Sequence, residues 1–219
     1  MTLIKMIVTL SFLFIWVTAE EAPLPSSLLH KQEAPFLIPK ASFLIAYGIT
    51  GSYEGGYANV ESDLGEETYR GISRKFCKDW RGWSRIDEYK LKCGPPDQNY
   101  YFNDLTDWYV TDFYLDIWIK EGFSDLENQA IANYLFDFRV HSPIAVKIIQ
   151  RVLNDCGNTF ELDNQMNAAM VVALNKIDVT DFLMSIKKER IDFYNHVVDH
   201  NPSQEKFLCH WLKRANVSG

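Results

Sequence analysis

The 219-residue chain lacks the patterns that mark the commonest metal, nucleotide and nucleic-acid sites. Its four cysteines form no Cys-x-x-Cys pair and have no histidine at zinc-ligand spacing, which argues against a zinc site. It contains no glycine-rich loop of the kind that cradles phosphate groups. Positive charge is also scarce, because the chain has 22 basic and 29 acidic residues and its net charge is −7. Nucleic acid is therefore not an expected partner, and no metal or other cofactor is predicted.

The composition that is present is typical of a folded protein with a sizeable core. Hydrophobic residues make up 47% of the chain and charged residues 23%, which argues against a disordered chain. Aromatic side chains are abundant, with 14 phenylalanines, 11 tyrosines and 6 tryptophans, and they suit both a core and a cleft on which sugars stack. The length predicts one domain or slightly more, and we expect a monomer.

The N-terminus has the features of a secretory signal. Within residues 1–19, Lys5 is the only charge, Ile7–Val17 is almost wholly apolar, and Val17-Thr18-Ala19 provides a cleavage site. The apolar run is short for a membrane span, so we expect no stable span after cleavage, with an uncleaved anchor as the alternative. Residues 20–40 contain four prolines and are predicted to form a linker or arm. We therefore expect an exported protein, periplasmic or extracellular.

The four cysteines are compatible with two disulfide bonds in an exported chain. Cys77 and Cys93 bracket one turn-rich region and are the preferred pair, which leaves Cys156 to pair with Cys209. Four free thiols are the alternative prediction.

One carboxylate, Glu54, follows an apolar stretch with helical character. Residues 43–53 are rich in apolar side chains and run into Glu54, and Gly55-Gly56 follows at once. Consecutive glycines favour a helix end, so Glu54 is predicted to be the last helical residue, near the negative end of the helix dipole. Beside the rings of Tyr53 and Tyr57 its carboxyl is expected to keep a proton near neutral pH, as a general acid for glycosidic-bond cleavage must. A solvated glutamate on an ordinary helix is the alternative.

A spaced motif begins at this glutamate. Residues 54–59 read EGGYAN, residues 63–68 read DLGEET, and residues 71–73 read GIS. This set resembles the N-terminal signature of glycoside hydrolase family 108, N-acetylmuramidases of phages and bacteria with a lysozyme-like fold. The resemblance implies a mainly α protein, with a lysozyme-like helical domain and a small β-hairpin beside the cleft. It also implies that Glu54 is the catalytic acid.

The resemblance implies further catalytic candidates on the predicted hairpin. Asp63, Glu66 and Glu67 are candidates for a second carboxylate, with a solvated hairpin charge as the alternative for each. A retaining enzyme needs the second carboxylate roughly 5 Å from the acid, and an inverting enzyme needs it roughly 6.5–9.5 Å away. Thr68 is expected to position substrate or water through its hydroxyl group.

Five more residues are candidates for contact with the substrate: Tyr57, Asn59, Tyr69, Trp83 and Asp137. Tyr69 stands where the family has asparagine, which leaves the substrate preference open. Trp83 belongs to a W-x-G-W-x-x-I-D stretch, and core packing is the alternative for its ring. Asp137 lies in a run that resembles the family's LFDFAVNSG, and a buried structural acid is the alternative for it.

The rest of the chain is predicted to complete the same domain. We expect residues 41–140 to form the lysozyme-like catalytic region and residues 141–219 to form a helical C-terminal region. Residues 162–175 resemble the segment VDGxxGPKTLAALN, which belongs to a region often associated with peptidoglycan binding. Asn167-Ala168 replaces the Gly-Pro of that segment, so carbohydrate binding there is open while its helix is still expected.

Helix signals continue through this C-terminal region. Ser142-Pro143 predicts a helix start, with serine as the N-cap and proline at the first position. A helix over residues 178–198 is predicted, with Lys187, Lys188 and Arg190 on its solvated side. Residues 207–216 resemble the closing FLKGWLNR of the family.

The leading hypothesis is an exported N-acetylmuramidase that cuts the glycan strands of peptidoglycan. A lytic transglycosylase is the nearest alternative, because it also works with one residue as acid and base. A non-catalytic cell-wall-binding protein on a degenerate hydrolase fold is the alternative from another class. An enzyme restrained by its own arm, residues 20–40, is the third alternative.

Overall fold

The structure is a computed structural model that describes residues 39–59, 67–103 and 106–217. The predicted signal at residues 1–19, the arm up to residue 38, and the candidate carboxylates Asp63 and Glu66 lie outside these ranges. The described residues all belong to one compact unit.

Helices dominate the described residues, which confirms the prediction of a mainly α, lysozyme-like fold. The α-helices of these residues are α1 (Phe43–Gly51), α2 (Gly82–Cys93), α3 (Thr111–Lys120), α4 (Gln129–His141), α5 (Ala145–Asp155), α6 (Ala168–Leu174), α7 (Val179–His200) and α8 (Glu205–Val217). A π-helical turn, Thr106–Val110, leads into α3, and short 3-10 turns cover Phe123–Asp125 and Pro202–Gln204. Within the described ranges, every helix is too short or too polar to cross a membrane.

A small antiparallel sheet takes the place of the predicted hairpin. Its strands are β1 (Tyr57–Asn59), β2 (Glu67–Tyr69) and β3 (Ile72–Ser73), in the order β1-β2-β3. Tyr69 pairs with Ile72, so the turn between β2 and β3 consists of Arg70 and Gly71 alone. Both turn residues have positive φ angles, 51° and 77°, as a tight two-residue hairpin turn requires.

The core is centred on α4, which is surrounded on all sides. Every residue from Ile131 to Phe138 is buried, as expected for a helix at the centre of a domain. Helix α1 packs along it, and the Phe43 ring meets those of Trp118 and Phe136 at centroid distances of 5.9 and 6.0 Å. This packing fixes the end of α1, from which the chain turns towards Glu54.

Side-chain caps define several helix starts. Asn128 caps α4, Asp178 caps α7, and Asn167 caps α6 by accepting a hydrogen bond from the Met170 N–H at 3.0 Å. The Asn167 cap explains why α6 persists without the Gly-Pro of the family segment. The start predicted at Ser142-Pro143 is wrong, because Ser142 ends α4 and α5 begins at Ala145 without a side-chain cap.

The preferred disulfide pairing is also wrong, since all four cysteines are free thiols. The backbone carbonyl of Cys77 accepts a hydrogen bond from Trp83 in the first turn of α2, whereas Cys93 is the last residue of that helix. The 12 residues of α2 span about 18 Å, and a disulfide requires Cα atoms closer than about 7 Å.

Candidate active site

Glu54 lies beyond the end of α1, in the turn that leads to β1. Helix α1 ends at Gly51, three residues earlier than the glycine pair predicts. Neither Gly55 nor Gly56 has the positive φ of a helix cap. Gly56 is needed for a different reason, because a Cβ atom there would lie 2.5 Å from the carbonyl oxygen of Asn99. The glycines therefore allow a close backbone crossing that sets the direction of the chain after Glu54.

The β2–β3 turn brings Gly71 directly against the Glu54 carboxyl group. A Cβ atom on Gly71 would collide with Oε2 of Glu54 and would lie 2.7 Å from the hydroxyl oxygen of Tyr114. That hydroxyl donates to the carbonyl oxygen of Arg70 at 2.6 Å, which anchors the turn to α3. Arg70 in turn donates from Nη1 to the backbone carbonyl of Glu54 at 3.3 Å. The turn thus packs against Oε2 and holds the Glu54 carboxyl group in place.

Gly71→Ala is expected to inactivate the site as well as to weaken the fold. The positive φ alone costs about 1–2 kcal/mol of unfolding free energy, and the new methyl group must displace the Glu54 carboxyl. Because misplacing a reacting group by about 1 Å can cost about 100-fold, we expect a loss of that order in activity per folded molecule. Gly94→Ala is the matched control, since Gly94 has φ of 83° but open space around its Cβ position. Denaturant unfolding and turnover are measured on both, and equal turnover losses would contradict the steric role of Gly71.

A buried arginine from the last helix contacts the same carboxyl group. Arg214 of α8 donates from Nη2 to Oε1 of Glu54 at 2.9 Å and from Nε to Oδ1 of Asp137 at 2.9 Å. Asp137 on α4 receives a second arginine, because Nη2 of Arg190 on α7 lies 2.8 Å from its Oδ2. Glu54, Arg214, Asp137 and Arg190 therefore form one continuous chain of alternating charges.

The chain of polar groups continues from Arg190 to the end of α4. Nε of Arg190 donates to the Tyr194 hydroxyl at 2.8 Å, and that oxygen shares a 2.7 Å hydrogen bond with Nδ1 of His141. Burial, with the positive charges of Arg214 and Arg190 nearby, lowers the pKa of His141 to about 3. His141 is thus a neutral ring at neutral pH, and it closes the network without adding charge.

The environments of Glu54 and Asp137 shift the pKa values of their carboxyl groups in opposite directions. Burial raises the pKa of Glu54 above its usual value, and Arg214 opposes this only in part. Burial acts in the same direction on Asp137, but Arg214 and Arg190 outweigh it, so the pKa of Asp137 is lowered. A pair of carboxyl groups whose pKa values are shifted in opposite directions is typical of acid–base catalysis. Glu54 is the member that can carry a proton, and Asp137 stays ionised.

The structure places Glu67 in a separate cluster with Tyr57. The Glu67 carboxylate pairs with Nε of Arg74 at 2.6 Å and with Lys90 of α2. Burial and this neighbouring carboxylate raise the pKa of Tyr57 to about 12. Glu67 and Tyr57 therefore tie the sheet to α2, and both oxygens of Glu67 are already held by cations.

The remaining predicted residues divide between the core and the sheet. Tyr69 is fully buried, and its hydroxyl group accepts from the Phe102 N–H at 3.0 Å. Trp83 is buried, with its indole N–H on the Cys77 carbonyl oxygen at 2.7 Å. Thr68 is half-buried in the middle of β2, and Asn59 is exposed at the end of β1. Of the proposed substrate contacts, the structure therefore brings only Asp137 into the network around Glu54.

Two rings that the sequence analysis did not select lie beside the arginines of the site. The Tyr53 ring centroid is 5.0 Å from the guanidinium carbon of Arg214 and 6.1 Å from the ring of the exposed His210. The exposed Tyr101 ring lies 5.7 Å from the guanidinium carbon of Arg70. Rings in such positions can stack on the apolar faces of sugars.

The sequence analysis does not identify Arg214 as a site residue, and it assigns Arg190 to the wrong side of α7. Arg190 is fully buried, so its assignment to the solvated side of α7 is wrong. It lies on the stripe formed by Phe182, Ile186 and Tyr194, and this spacing of four residues places it on the core face. That spacing was the available signal, and a charge on such a stripe indicates a buried acidic partner.

Comparison with known families and structures gives two family matches and a similar solved structure. Residues 47–142 match the family described as Glycosyl hydrolase 108, and residues 144–216 match the one described as Predicted Peptidoglycan domain. The chain is also similar to the solved structure of SagA from Brucella abortus, with a TM-score of 0.55 and 22% identity over 80% of this chain and 94% of that chain. At this identity the similarity shows the fold. None of the curated proteins matches the chain.

Proposed function

We propose that the chain is an N-acetylmuramidase with Glu54 as general acid, because residues 47–142 match the family described as Glycosyl hydrolase 108. Together with the peptidoglycan domain that follows, the family match indicates a glycoside hydrolase that acts on peptidoglycan. The observation that supports the finer assignment is the environment of Glu54. Its carboxyl group is largely buried, its pKa is raised, and Arg214 holds Oε1 while Oε2 lies against Gly71.

The proposed reaction starts with protonated Glu54. Its proton passes from Oε2 to the glycosidic oxygen, and the bond between that oxygen and the anomeric carbon breaks with its electron pair on the oxygen. The resulting oxocarbenium-like centre is attacked by water, whose proton returns to a carboxylate. Glu67 is already held by Arg74 and Lys90, so Asp63 is the proposed second carboxylate. Thr68 is proposed to position the water.

We also propose that the protein is exported and works on the glycan strands of the cell wall. The support is the nature of the two domains, since a peptidoglycan hydrolase meets its substrate outside the cytoplasm. The rings of Tyr53 and Tyr101 are proposed to contact sugars on either side of Glu54. In a chain with a net charge of −7, such local contacts carry the affinity for an anionic wall, because the overall charge opposes it.

A lytic transglycosylase is the second candidate, and the network around Glu54 favours it. Asp137, the acid that shares Arg214 with Glu54, is neutralised by Arg190 and Arg214. A glutamate that acts alone can take the proton from the sugar's own 6-hydroxyl group, whose oxygen then closes a 1,6-anhydro ring on the anomeric carbon.

Digestion of purified cell walls tests both candidates. The purified chain is expected to release soluble muropeptides, and mass spectrometry then reports the ends of the fragments. Reducing N-acetylmuramic acid ends support the hydrolase, and 1,6-anhydro ends support the transglycosylase. Walls that bind the protein but release nothing would contradict both and favour the non-catalytic binding protein.

A further inference from the structure

Arg214 is the residue through which the C-terminal region reaches the acid. It lies on α8, inside the segment that matches the peptidoglycan domain, and it is separated by 160 positions from the glutamate that it contacts. Its side chain is 3% exposed, so the guanidinium group is a permanent part of the interior of the site. No step of the proposed reaction yet gives this contact a role.

We propose that Arg214 is the positioning residue of Glu54, which directs the proton to one carboxyl oxygen and stabilises the anion that remains after proton transfer. The inference rests on the proposed role of Glu54 as general acid. It assigns to the peptidoglycan domain a part in the chemistry of the neighbouring domain, in addition to any contact with the wall.

The directing role follows from the two oxygens of Glu54. Oε1 accepts the hydrogen bond from Nη2 of Arg214 at 2.9 Å, and an oxygen held by a cation is a poor place for a proton. Oε2 instead lies over Gly71, beside the Tyr114 hydroxyl group. The proton of the neutral acid is therefore expected on Oε2, the oxygen that does not accept from Nη2 of Arg214.

Arg214 can hold this orientation because it is itself anchored. Its Nε donates to Oδ1 and Oδ2 of Asp137 at 2.9 and 3.2 Å, and the Tyr53 ring lies across the guanidinium group. Asp137 is fixed from its other side by Arg190. A swing of Arg214 away from Glu54 would break these contacts in a buried place, where an unpaired charge is strongly destabilising.

The charge balance explains why the anion is stabilised. The groups that face Glu54 are Arg214 from α8, Asp137 from α4, Arg70 from the β2–β3 turn and Tyr114 from α3. Arg190 and Arg214 both contact Asp137, whose single negative charge balances only one of them. This pair of arginines therefore keeps one unbalanced positive charge while Glu54 is protonated. Loss of the Glu54 proton neutralises that charge. Arg214 thus favours the product state of the proton transfer.

The test compares two arginines of the same network that differ in their contact with Glu54. Arg214→Gln and Arg214→Lys alter the residue that contacts Glu54, and Arg190→Lys is the matched control because Arg190 contacts Asp137 alone among these acids. The titration of the Glu54 side-chain carboxyl is followed by carbon NMR on the full chain, with Glu54→Gln used to assign the signal. The pH profile of turnover on cell walls is measured in parallel.

We expect the Glu54 pKa to rise by about one unit or more in Arg214→Gln, because an opposite charge at this distance lowers a carboxyl pKa by roughly 1–3 units. The fall of activity at high pH moves upward with it, kcat falls roughly ten- to hundredfold, and KM changes little because Arg214 does not touch substrate. Arg190→Lys keeps a positive charge beside Asp137 and alters no direct contact of Glu54, so it is expected to shift the titration and the high-pH limb much less than Arg214→Gln does.

Other outcomes are equally decisive. If Arg214→Gln does not fold, Arg214→Lys carries the comparison, since it keeps the charge but loses the simultaneous contact with both acids. Equal shifts in Arg214→Lys and Arg190→Lys, or no shift in either Arg214 variant, would overturn the inference. The NMR titration needs no substrate, so a parent chain that digests no wall would contradict the proposed function while the role of Arg214 towards Glu54 is still decided.

Discussion

Glu54→Gln is expected to reduce the release of muropeptides by at least about 1,000-fold. Glutamine has nearly the same shape and still offers an oxygen to Arg214, but it has no proton to give to the glycosidic oxygen. General acid–base groups contribute about 10² to 10⁴-fold to a rate, and here the same group is also the proposed proton acceptor of a transglycosylase. The measurement is single-turnover or steady-state digestion of cell walls, with mass analysis of the fragments.

Glu67→Gln is the informative comparison for this variant. Glu67 is the other motif glutamate that the structure describes, and its oxygens are bound to Arg74 and Lys90. Its replacement is expected to lower the stability of the sheet but to preserve turnover per folded molecule. Loss of activity in Glu67→Gln with retention in Glu54→Gln would reverse the assignment of the acid.

The local structure around Glu54 could be predicted in outline because the information is local. The apolar stretch of α1, the EGGY run and the tight β2–β3 turn all lie within about thirty residues, and short-range patterns of this kind determine helices and turns. Even so, the prediction that the glycine pair ends the helix is wrong. Gly56 is dictated by the distant backbone of Asn99, and a long-range contact of this kind leaves no local signature.

The surroundings of the acid could not be predicted, because they are assembled from the far end of the chain. Arg214 follows Glu54 by 160 positions, and Asp137 and Arg190 come from two different helices. A single sequence shows that Asp137 and Arg190 each occupy an apolar stripe, and each is then expected to need a partner. It does not show that they are partners of each other, or that Arg214 joins them to Glu54.

Buried charge also explains why Arg190 was placed wrongly. Charged residues on a helix are usually solvated, so a basic residue next to Lys187 and Lys188 is assigned to the same face by composition. The helical period contradicts that assignment, since Arg190 follows Phe182 and Ile186 at steps of four. Where composition and period disagree, the period decides which side faces the core, and the charge then indicates an ion pair inside.

Asp137→Asn is expected to be the most destabilising single change in the network. It leaves Arg190 and Arg214 together in the interior without the carboxylate that both contact, and breaking a buried ion pair costs about 3–5 kcal/mol. The control is Asp112→Asn, whose ion pair with Arg81 is more than half exposed on both sides and is worth at most about 1 kcal/mol. Denaturant unfolding at neutral pH measures both.

The pH dependence of the difference in unfolding free energy between the parent and Asp137→Asn shows whether the charge of Asp137 or its packing stabilises the fold. The pKa of Asp137 is lowered in the folded protein, so its stabilising effect is fully present above the unfolded value of about 3.9. The effect is lost as the pH falls through the folded value, where protonated aspartate and asparagine become nearly equivalent. The parent should therefore lose its advantage over Asp137→Asn below about pH 4. A deficit that stays constant into acid would mean that packing at this position, and not the ion pairs, stabilises the fold.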